Sequence, residues 1–372
     1  MRFENILMRT SDKSAIVFRA RFIVALLPLA ACHAVSPTTR VEASGDDSIT
    51  ATGLHLHRSA DSVRLITSDI SHFWRAYDDA MNRDSATRVR IFRDEYFAPA
   101  SVGLRDFVRL RFVSNRKDAS DSVLAEAAAI QFAGVTAAWP RYYAGVRATS
   151  LAVDTSAAIT TTVRSGLRRL SKLYPAARFP DIYFLVGRAS TGGTTSSRGL
   201  LLGVEMFSRT ASTPVDELPP QLRLGATIFR SGQLGPSAVH EAVHFLQPIV
   251  QSDGQPTLLQ AALAEGGANF LSELATYPWV HELEYERYGD AHEDMLWRSF
   301  RQDMNGTDMH RWLWNYSDAD NQGMPDLGYW AGYKIAVAYY ARVADKSAAV
   351  RDLVLINDAD RIWRQSGYDH TP

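Results

Sequence analysis

Two histidines and a glutamate stand close together in the segment His240-Glu241-Ala242-Val243-His244. Residues four apart on a helix share one face, so both imidazoles can reach a single tetrahedral metal ion. Pro236 and Ser237, just upstream, are typical of a helix start. Glu241 points about a quarter turn away from His240, so it is not expected to ligate the metal. It is instead placed to act as general base toward the water that the metal holds and to pass the proton to a leaving amine.

A third ligand is predicted on a second helix, over residues 258–275. Glu265 lies there among small and apolar neighbours, which predict a buried carboxylate that needs a cation as partner. Two histidines and one glutamate form a common ligand set of catalytic zinc sites, with the fourth position left open. Glu273, about two helical turns further on, is an alternative third ligand, but the spacing favours Glu265.

The same helix contains other residues with expected roles. Gly266 and Gly267 lower its helix propensity, which is understandable if it must approach the first helix closely. Asn269, one turn after Glu265, is predicted to hydrogen-bond a liganding histidine. The expected ion is Zn²⁺, because this donor set favours zinc over calcium or magnesium. The acidic loop 318–323 departs from a calcium-binding loop and is interpreted as polar surface.

These residues resemble the gluzincin metallopeptidases, the thermolysin-like branch of the zincins. The stretch from about residue 182 to 368 is also similar to a family of predicted zinc-dependent proteases in bacteria, whose members are often lipoproteins. The matching pieces are Gly192-Gly193-Thr194, Gly203-Val204-Glu205, His240 to His244, Ala264-Glu265-Gly266, Gly328-Tyr329-Trp330-Ala331-Gly332-Tyr333-Lys334 and Ser366-Gly367-Tyr368. Asn269 is a departure, because many gluzincins have aspartate four residues after the ligand glutamate.

The resemblance implies an α+β fold with a zincin-like catalytic domain over residues 176–372, made of a small β-sheet with an edge strand and active-site helices. Hydrophobic patterning predicts a helical region over residues 61–175, including a helix at 157–173. Residues 181–187 and 199–207 are β-prone and flank a polar, glycine-rich loop, which predicts a hairpin. The chain from residue 235 onward is predicted to be mostly helical.

A substrate-binding strand is part of the same resemblance. In zincins the edge strand before the active-site helix pairs with the substrate backbone, a form of β-strand addition. The strand that carries Gly203, Val204 and Glu205 would have that role here. Together with the metal site, it implies a peptide or protein substrate.

The reaction also needs a donor for the oxyanion that develops in the transition state. Tyr333 is the first candidate and Tyr329 the second, because both lie on one face of a helix predicted over residues 326–340. Packing in the core is an equally good interpretation of these tyrosines. The alternative donors are His281, His292 and His310.

Composition gives little sign of other partners. Lys and Arg number 40 and Asp and Glu 41, for a net charge of −1, and no basic stripe with interleaved aromatics occurs. Nucleic acid is therefore not an expected partner. With 372 residues and 46% hydrophobic content, the chain can form one large domain or two smaller ones. Its single cysteine excludes an internal disulfide and a cysteine-ligated zinc site.

The first residues are typical of an export signal. Arg19 and Arg21 precede the apolar run 22–31, which is too short to span a bilayer as a mature helix but suits a signal peptide. The run ends in Leu29-Ala30-Ala31-Cys32, which resembles the bacterial lipobox, whose cysteine is lipidated. Residues 1–32 are therefore predicted to be a signal peptide with Cys32 as the lipid anchor. Met8 is an alternative start of the chain.

The residues after Cys32 predict how the anchor is connected. Residues 33–60 are rich in Ser, Thr, Ala and Asp, which is typical of a flexible tether. His33 differs from the aspartate of an inner-membrane retention signal, so the periplasmic face of the outer membrane is the expected location. The sequence thus predicts a membrane-anchored zinc metallopeptidase. The main alternative is a non-catalytic envelope lipoprotein, a binding or assembly factor with a structural zinc site. Hydrolysis of a non-peptide amide is a further alternative, because the same zinc chemistry acts on any amide.

Overall fold

A computed structural model describes residues 47–49, 53–113, 119–225, 232–250, 254–276, 283–315 and 324–368. Its β-structure consists of short strands in two small sheets. The strands are β1 (Asp47–Ile49), β2 (His55–His57), β3 (Leu65–Ile66), β4 (Phe179–Pro180), β5 (Ile182–Leu185), β6 (Gly193–Thr195) and β7 (Leu200–Gly203).

Helices make up most of the remaining described residues. In the first half they are α1 (Ser68–Ala80), α2 (Ser85–Ile91), α3 (Val102–Phe107), α4 (Asp121–Ala138), α5 (Pro140–Leu151) and α6 (Ala157–Leu173). In the second half they are α7 (Val204–Phe207), α8 (Pro220–Gly225), α9 (Leu234–Leu246), α10 (Leu258–Thr276), α11 (Glu284–Ala291), α12 (Glu293–Asp303), α13 (Leu327–Arg342), α14 (Lys346–Leu355) and α15 (Ala359–Ser366). Helices α2 and α3 continue as π-helical turns over Phe92–Phe97 and Val108–Phe112.

The larger sheet lies next to the helix that carries the two histidines. Its strand order is β3-β5-β7-β6, with β3, β5 and β7 parallel and β6 antiparallel to β7 at one edge. Every residue of β5 and β7 is buried, as expected for parallel strands covered on both faces. The predicted hairpin is wrong, because β5 and β7 are parallel and β6 lies within their connection.

The predicted substrate strand also differs from the structure. Gly203 ends β7, an internal strand, and Val204 begins the helical turn α7. The side chain of Glu205 is fully buried, and its carboxylate accepts hydrogen bonds from the backbone N–H groups of Gly187 (2.7 Å) and Ala189 (3.1 Å). Gly203, Val204 and Glu205 therefore do not form an edge strand, contrary to the prediction. The edge strand next to β7 is β6, and β3 forms the other edge of the sheet.

Both predicted regions contribute to one folded body. Strand β3, from the region predicted as helical, pairs with β5 of the catalytic region, and β2 pairs with β4 in a second sheet of order β1-β2-β4. One core of buried apolar side chains extends from Ala60 to Trp363. The boundary at residue 175 thus does not separate two units, and residues 55–60 belong to the body rather than to a tether. The α+β class is confirmed.

The two helices that carry the candidate metal ligands, α9 and α10, pack within a group of four helices. Helix α10 packs against α6, α9 and α13, and α6 also packs against α9. The helices predicted at 157–173, 258–275 and 326–340 are confirmed with bounds that differ by two residues or fewer at each end. Helix α9 begins at Leu234, shortly before the predicted start at Pro236.

The glycines of α10 have a different neighbour from the one that the sequence predicts. A Cβ atom on Gly266 would lie 2.0 Å from the backbone nitrogen of Tyr333, and one on Gly332 would lie 1.7 Å from the carbonyl oxygen of Ala262. The backbones of α10 and α13 therefore touch at this point, which we call the glycine seam. Gly266 permits close approach to α13, not to α9 as expected. Gly267 meets only the carbonyl oxygen of Leu353, at 3.8 Å.

The described helices were compared with the length and hydropathy that a membrane span requires. No single helix of the described residues is long and apolar enough to cross a membrane. Helices α4 and α5 pass by length and composition only as a pair, and they are bent by 102° at their junction. The predicted signal peptide with Cys32 and most of the predicted tether lie outside the described residues.

Candidate metal centre

Helix α9 places both histidines of the motif on its inner face. Its apolar residues Val239, Ala242 and Val243 are fully buried, which fixes the rotation of the helix about its axis. The imidazole rings of His240 and His244 have centroids 4.5 Å apart and planes at 89° to each other. The one-turn spacing therefore brings the two rings side by side, as predicted from the sequence.

Glu265 reaches the same point from α10. One carboxylate oxygen, Oε2, lies 3.0 Å from Nε2 of His244 and 3.7 Å from Nε2 of His240. Each of the three side chains offers one donor atom, and these atoms all lie within 4.8 Å of one another. The three predicted ligands thus converge from two helices.

The distances fit a tetrahedral zinc ion. With bonds of about 2.0–2.1 Å, ligand atoms in such a site are separated by about 3.3 Å. The two measured separations, 3.0 Å and 3.7 Å, lie on either side of that value. Two imidazole nitrogens and one carboxylate oxygen are also donors that zinc prefers, and three ligands leave a fourth position for water or substrate.

Without a metal, His244 and Glu265 strongly shift each other's pKa. Burial by itself lowers the pKa of His244, but the negative charge of Glu265 and the hydrogen bond to it outweigh burial and raise that pKa to about 9. Burial raises the pKa of Glu265, but the two histidines outweigh this effect and hold that pKa well below its usual range. Glu265 therefore attracts a positive charge, either a proton on His244 or a metal cation in its place.

Gln247 fixes the orientation of His244. The Nε2 group of Gln247 donates to the carbonyl oxygen of Ala264 (3.0 Å), so its Oε1 is left to accept from Nδ1 of His244 (2.7 Å). A proton on Nδ1 leaves Nε2 of the neutral imidazole with a free lone pair that points at Glu265 and the metal position. Sequence reasoning missed Gln247, although its position three residues after His244 on the same helical face was a usable signal.

Asn269 does not have the predicted contact with a liganding histidine. Its Nδ2 donates to the hydroxyl of Tyr285 on α11, at 3.3 Å. Burial raises the pKa of Tyr285, and nearby carboxylates, Glu265 among them, add to that shift. Gln247 thus makes the contact with a histidine that the sequence assigned to Asn269. No sequence pattern singled out Tyr285.

Glu241 lies between α9 and the edge strand β6. A Cβ atom on Gly193 would be 2.3 Å from Oε1 of Glu241, so only glycine allows the carboxylate to lie against the strand. The other oxygen, Oε2, is buried and has no hydrogen-bond partner among the described residues. Burial raises the pKa of this carboxyl group. Such a group has the position and the unsatisfied acceptor expected of a general base.

Among the described residues, β6 has no strand paired on its outer side. Ser196 N–H donates to the carbonyl of Gly199, and Gly203 N–H donates to the carbonyl of Gly192, both at 2.9 Å. Because the direction of backbone groups alternates along a strand, the N–H and C=O groups of Gly193 and Thr195 point away from β7. This edge therefore begins directly beside Glu241, and the side chains of Thr194 and Thr195 in it are buried.

The two tyrosines predicted as oxyanion donors, Tyr333 and Tyr329, have different contacts. The hydroxyl of Tyr333 donates to Oε2 of Glu273 at 2.6 Å. Glu273 lies about 12 Å further along the axis of α10 than Glu265, so it is not the third ligand. Burial and Glu273 both raise the pKa of Tyr333 well above its usual range. The ring of Tyr329 lies 6.2 Å from that of Tyr285, which Asn269 contacts.

The alternative histidines have other positions. Nδ1 of His292 lies 2.8 Å from the carbonyl oxygen of Tyr288, and the two rings are stacked with centroids 4.1 Å apart. His310 is exposed in the loop after α12. His281 and the loop 318–323 lie outside the described residues. None of the described alternatives is part of the three-ligand group.

Comparison of the chain with protein-family models, with curated proteins and with solved structures gave no match. The resemblance to zinc-dependent proteases therefore rests on the residues themselves. The structure gives several of the quoted glycines a physical reason, since Gly193 lies against Glu241 and both Gly266 and Gly332 lie in the glycine seam.

Proposed function

We propose that the protein is a zinc-dependent metallopeptidase with a zincin-like active site. The observation that carries the proposal is the convergence of His240, His244 and Glu265 beside Glu241, whose carboxylate lies against the edge strand β6. A metal ligand set, a buried general base and a surface for an extended peptide are thus adjacent. These are the parts that hydrolysis of a peptide bond requires.

The residues divide the chemistry as follows. His240, His244 and Glu265 would hold Zn²⁺, which when bound supplies Lewis-acid polarisation of the substrate carbonyl and of the attacking water. Glu241 takes one proton from that water as the oxygen adds to the carbonyl carbon. Glu241 then gives this proton to the amide nitrogen, the C–N bond breaks, and a carboxylic acid and an amine leave. The outward groups of Gly193 and Thr195 hold the substrate backbone by strand addition.

Two features favour catalysis over a purely structural zinc site. Structural zinc sites usually have four protein ligands, whereas this group has three among the described residues. A structural site also has no use for Glu241, whose buried Oε2 lacks a hydrogen-bond partner in the described part of the chain. An unsatisfied buried carboxylate oxygen is unfavourable unless it acts on a bound molecule.

Metal analysis tests the ligand set. Purified wild type is expected to contain zinc, and His240→Ala and Glu265→Ala are expected to lose it. His310→Ala is the matched control, because it removes an exposed histidine outside the group and should keep the metal. Equal zinc content in all four proteins would exclude the proposed site.

Activity on a broad peptide library tests the reaction. Glu241→Gln is expected to lower kcat by about 10²- to 10⁴-fold while zinc stays bound, because the amide cannot accept the proton. Glu273→Gln is the control on α10, since Gln can still accept from Tyr333. Hydrolysis that survives Glu241→Gln with zinc bound would refute the mechanism. A zinc-bound wild type that cleaves no peptide but binds an envelope partner would support the non-catalytic alternative.

We also propose that Cys32 is lipidated and anchors the protein at the periplasmic face of the outer membrane. The support is the apolar run that ends in Leu29-Ala30-Ala31-Cys32. Labelled fatty acid is expected to be incorporated into wild type and not into Cys32→Ser. Labelling of the Ser variant, or wild type that fractionates without membranes, would contradict the anchor.

A further inference from the structure

An arginine from the first half of the chain reaches the same edge strand. Arg111 belongs to the π-helical turn Val108–Phe112, in which Val108 and Phe112 are buried in the core. The backbone carbonyl of Arg111 accepts a hydrogen bond from Nη2 of Arg188 at 3.1 Å. The backbone of Arg111 is therefore held in place by this hydrogen bond and by its buried neighbours. π-Helical turns of this kind often occur at functional sites.

The guanidinium group of Arg111 is bound to the strand against which Glu241 lies. Its Nη2 donates to Oγ1 of Thr194 on β6, at 2.8 Å. Thr194 follows Gly193, the residue against which Glu241 lies. Because neighbouring side chains of a strand point to opposite faces, Arg111 approaches β6 from the face opposite α9. Its positive charge nevertheless reaches Glu241 and is one of the charges that oppose the rise in the pKa of that carboxyl.

Arg111 differs from its neighbour Arg109 in its partners. Arg109 donates from Nη2 to Oδ1 of Asp121 at 2.6 Å, so its charge is neutralised within the protein. The hydrogen bond that the structure gives to the Arg111 side chain is to a neutral hydroxyl, and among the described residues no carboxylate lies within ion-pair distance of it. A half-buried guanidinium with one N–H group on Thr194 has other N–H groups left for an anion.

We propose that Arg111 is a specificity-determining residue that binds a carboxylate of a peptide lying along β6. This inference rests on the proposed peptidase function and adds the class of substrate. A guanidinium group binds a carboxylate through two parallel hydrogen bonds, which fixes the position of the carboxylate as well as attracting it. Because Arg111 is bound to Thr194, which follows the glycine beside Glu241, that carboxylate belongs to a residue near the bond to be cleaved. It is either the C-terminal carboxylate of the substrate or the side chain of Asp or Glu.

Two matched pairs of peptides distinguish a C-terminal carboxylate from a side-chain carboxylate. The first pair has one neutral sequence with a free C-terminal carboxylate or a C-terminal amide. The second pair is amidated and carries Glu or Gln, placed in turn at each position. The kcat and KM of zinc-loaded wild type, Arg111→Gln, Arg111→Lys and Arg109→Gln are measured on all of them. Preference for the free acid identifies the C-terminus, and preference for Glu identifies a side chain.

Arg111→Gln is expected to lower kcat/KM for the preferred carboxylate peptide by about 10- to 100-fold, as for loss of a charge-assisted hydrogen bond. The loss should lie in KM, since the carboxylate does not react, and the neutral peptides should be unaffected. Arg111→Lys should restore part of the affinity, and Arg109→Gln should resemble wild type. A wild type that does not distinguish carboxylate from neutral peptides would overturn the inference. So would an Arg111→Gln enzyme that loses kcat on all peptides alike.

Failure of the peptidase proposal gives a different result, namely that no peptide is cleaved by zinc-loaded wild type. In that case binding is measured instead, by fluorescence polarisation with labelled peptides from the same pairs on zinc-loaded protein. Tighter binding of the carboxylate peptide that is lost in Arg111→Gln and kept in Arg109→Gln would support the anion site without turnover. Equal binding of the charged and neutral peptides would overturn the role of Arg111.

Discussion

Helix α10 makes two different kinds of contact on its two sides. Toward α9 it presents the Glu265 carboxylate to two histidines, so this side is polar and leaves room for an ion. Toward α13 it presents Gly266, where the two backbones touch without a side chain between them. Adjacent residues of one helix thus have separate duties. Gly266 fixes where the helix lies, and Glu265 depends on that position to reach the histidines.

The largest effect is expected at the glycine seam. Gly266→Ala should lower the free energy of unfolding by more than about 3 kcal/mol, because the new Cβ atom would meet the backbone of Tyr333 and a whole helix would have to move. Gly267→Ala is the adjacent control. Its Cβ atom has space, so it should stabilise the helix by up to about 1 kcal/mol. Urea denaturation measures both, and similar stabilities would contradict a tight seam.

Removal of zinc should lower the free energy of unfolding without unfolding the protein, because it removes a contact between α9 and α10. At a zinc concentration 100 times the Kd, bound metal is expected to add about 2.7 kcal/mol to the free energy of unfolding. Thermal unfolding with zinc and with a chelator measures the difference. His240→Ala is expected to show no such difference, since one ligand is missing. A response to zinc in this variant as large as in wild type would place the metal elsewhere.

A smaller effect is expected from Gln247, which orients His244. Gln247→Ala should weaken zinc affinity by about 10- to 100-fold, as for other groups that orient a metal ligand. Asn269→Ala should change zinc affinity far less, because its amide contacts Tyr285 rather than a ligand. Competition with a zinc-binding dye measures both affinities. The reverse order would restore the role that the sequence gave to Asn269.

The smallest effect is expected at Tyr333. Tyr333→Phe removes the hydrogen bond to Glu273 and should lower stability by about 1 kcal/mol, with kcat unchanged. A donor to the oxyanion would instead cost about 10²- to 10³-fold in kcat. Steady-state kinetics of Tyr333→Phe beside Tyr329→Phe therefore decides whether either tyrosine acts on the reaction. A large loss of kcat in Tyr333→Phe would require its hydroxyl to leave Glu273 when substrate binds.

The three candidate metal ligands could be predicted because their geometry is local. The spacing of His240 and His244 depends only on the helical repeat, and the buried character of Glu265 follows from its small apolar neighbours. The bounds of the long helices were predictable for the same reason. The contacts of Gln247 and Tyr285 depend on which helix packs where, and periodicity within one segment does not contain that information.

The sheet was harder to predict than the helices. Residues 181–187 and 199–207 have the composition of strands whether they pair in parallel or antiparallel, and a short polar loop between them favoured the antiparallel choice. The structure inserts β6 into that loop, a segment of glycine and threonine with little hydrophobic signal. The edge strand next to β7 was therefore predicted one strand too far inside the sheet.

The pairing of β3 with β5 has a consequence for how the chain folds. Leu65 must find Ile182, so a large loop is closed before the first strand of the sheet has its neighbour. Contacts this distant in sequence slow folding. During synthesis β3 stays unpaired until β5 has been made. A fragment that ends at residue 175 should accordingly fail to fold.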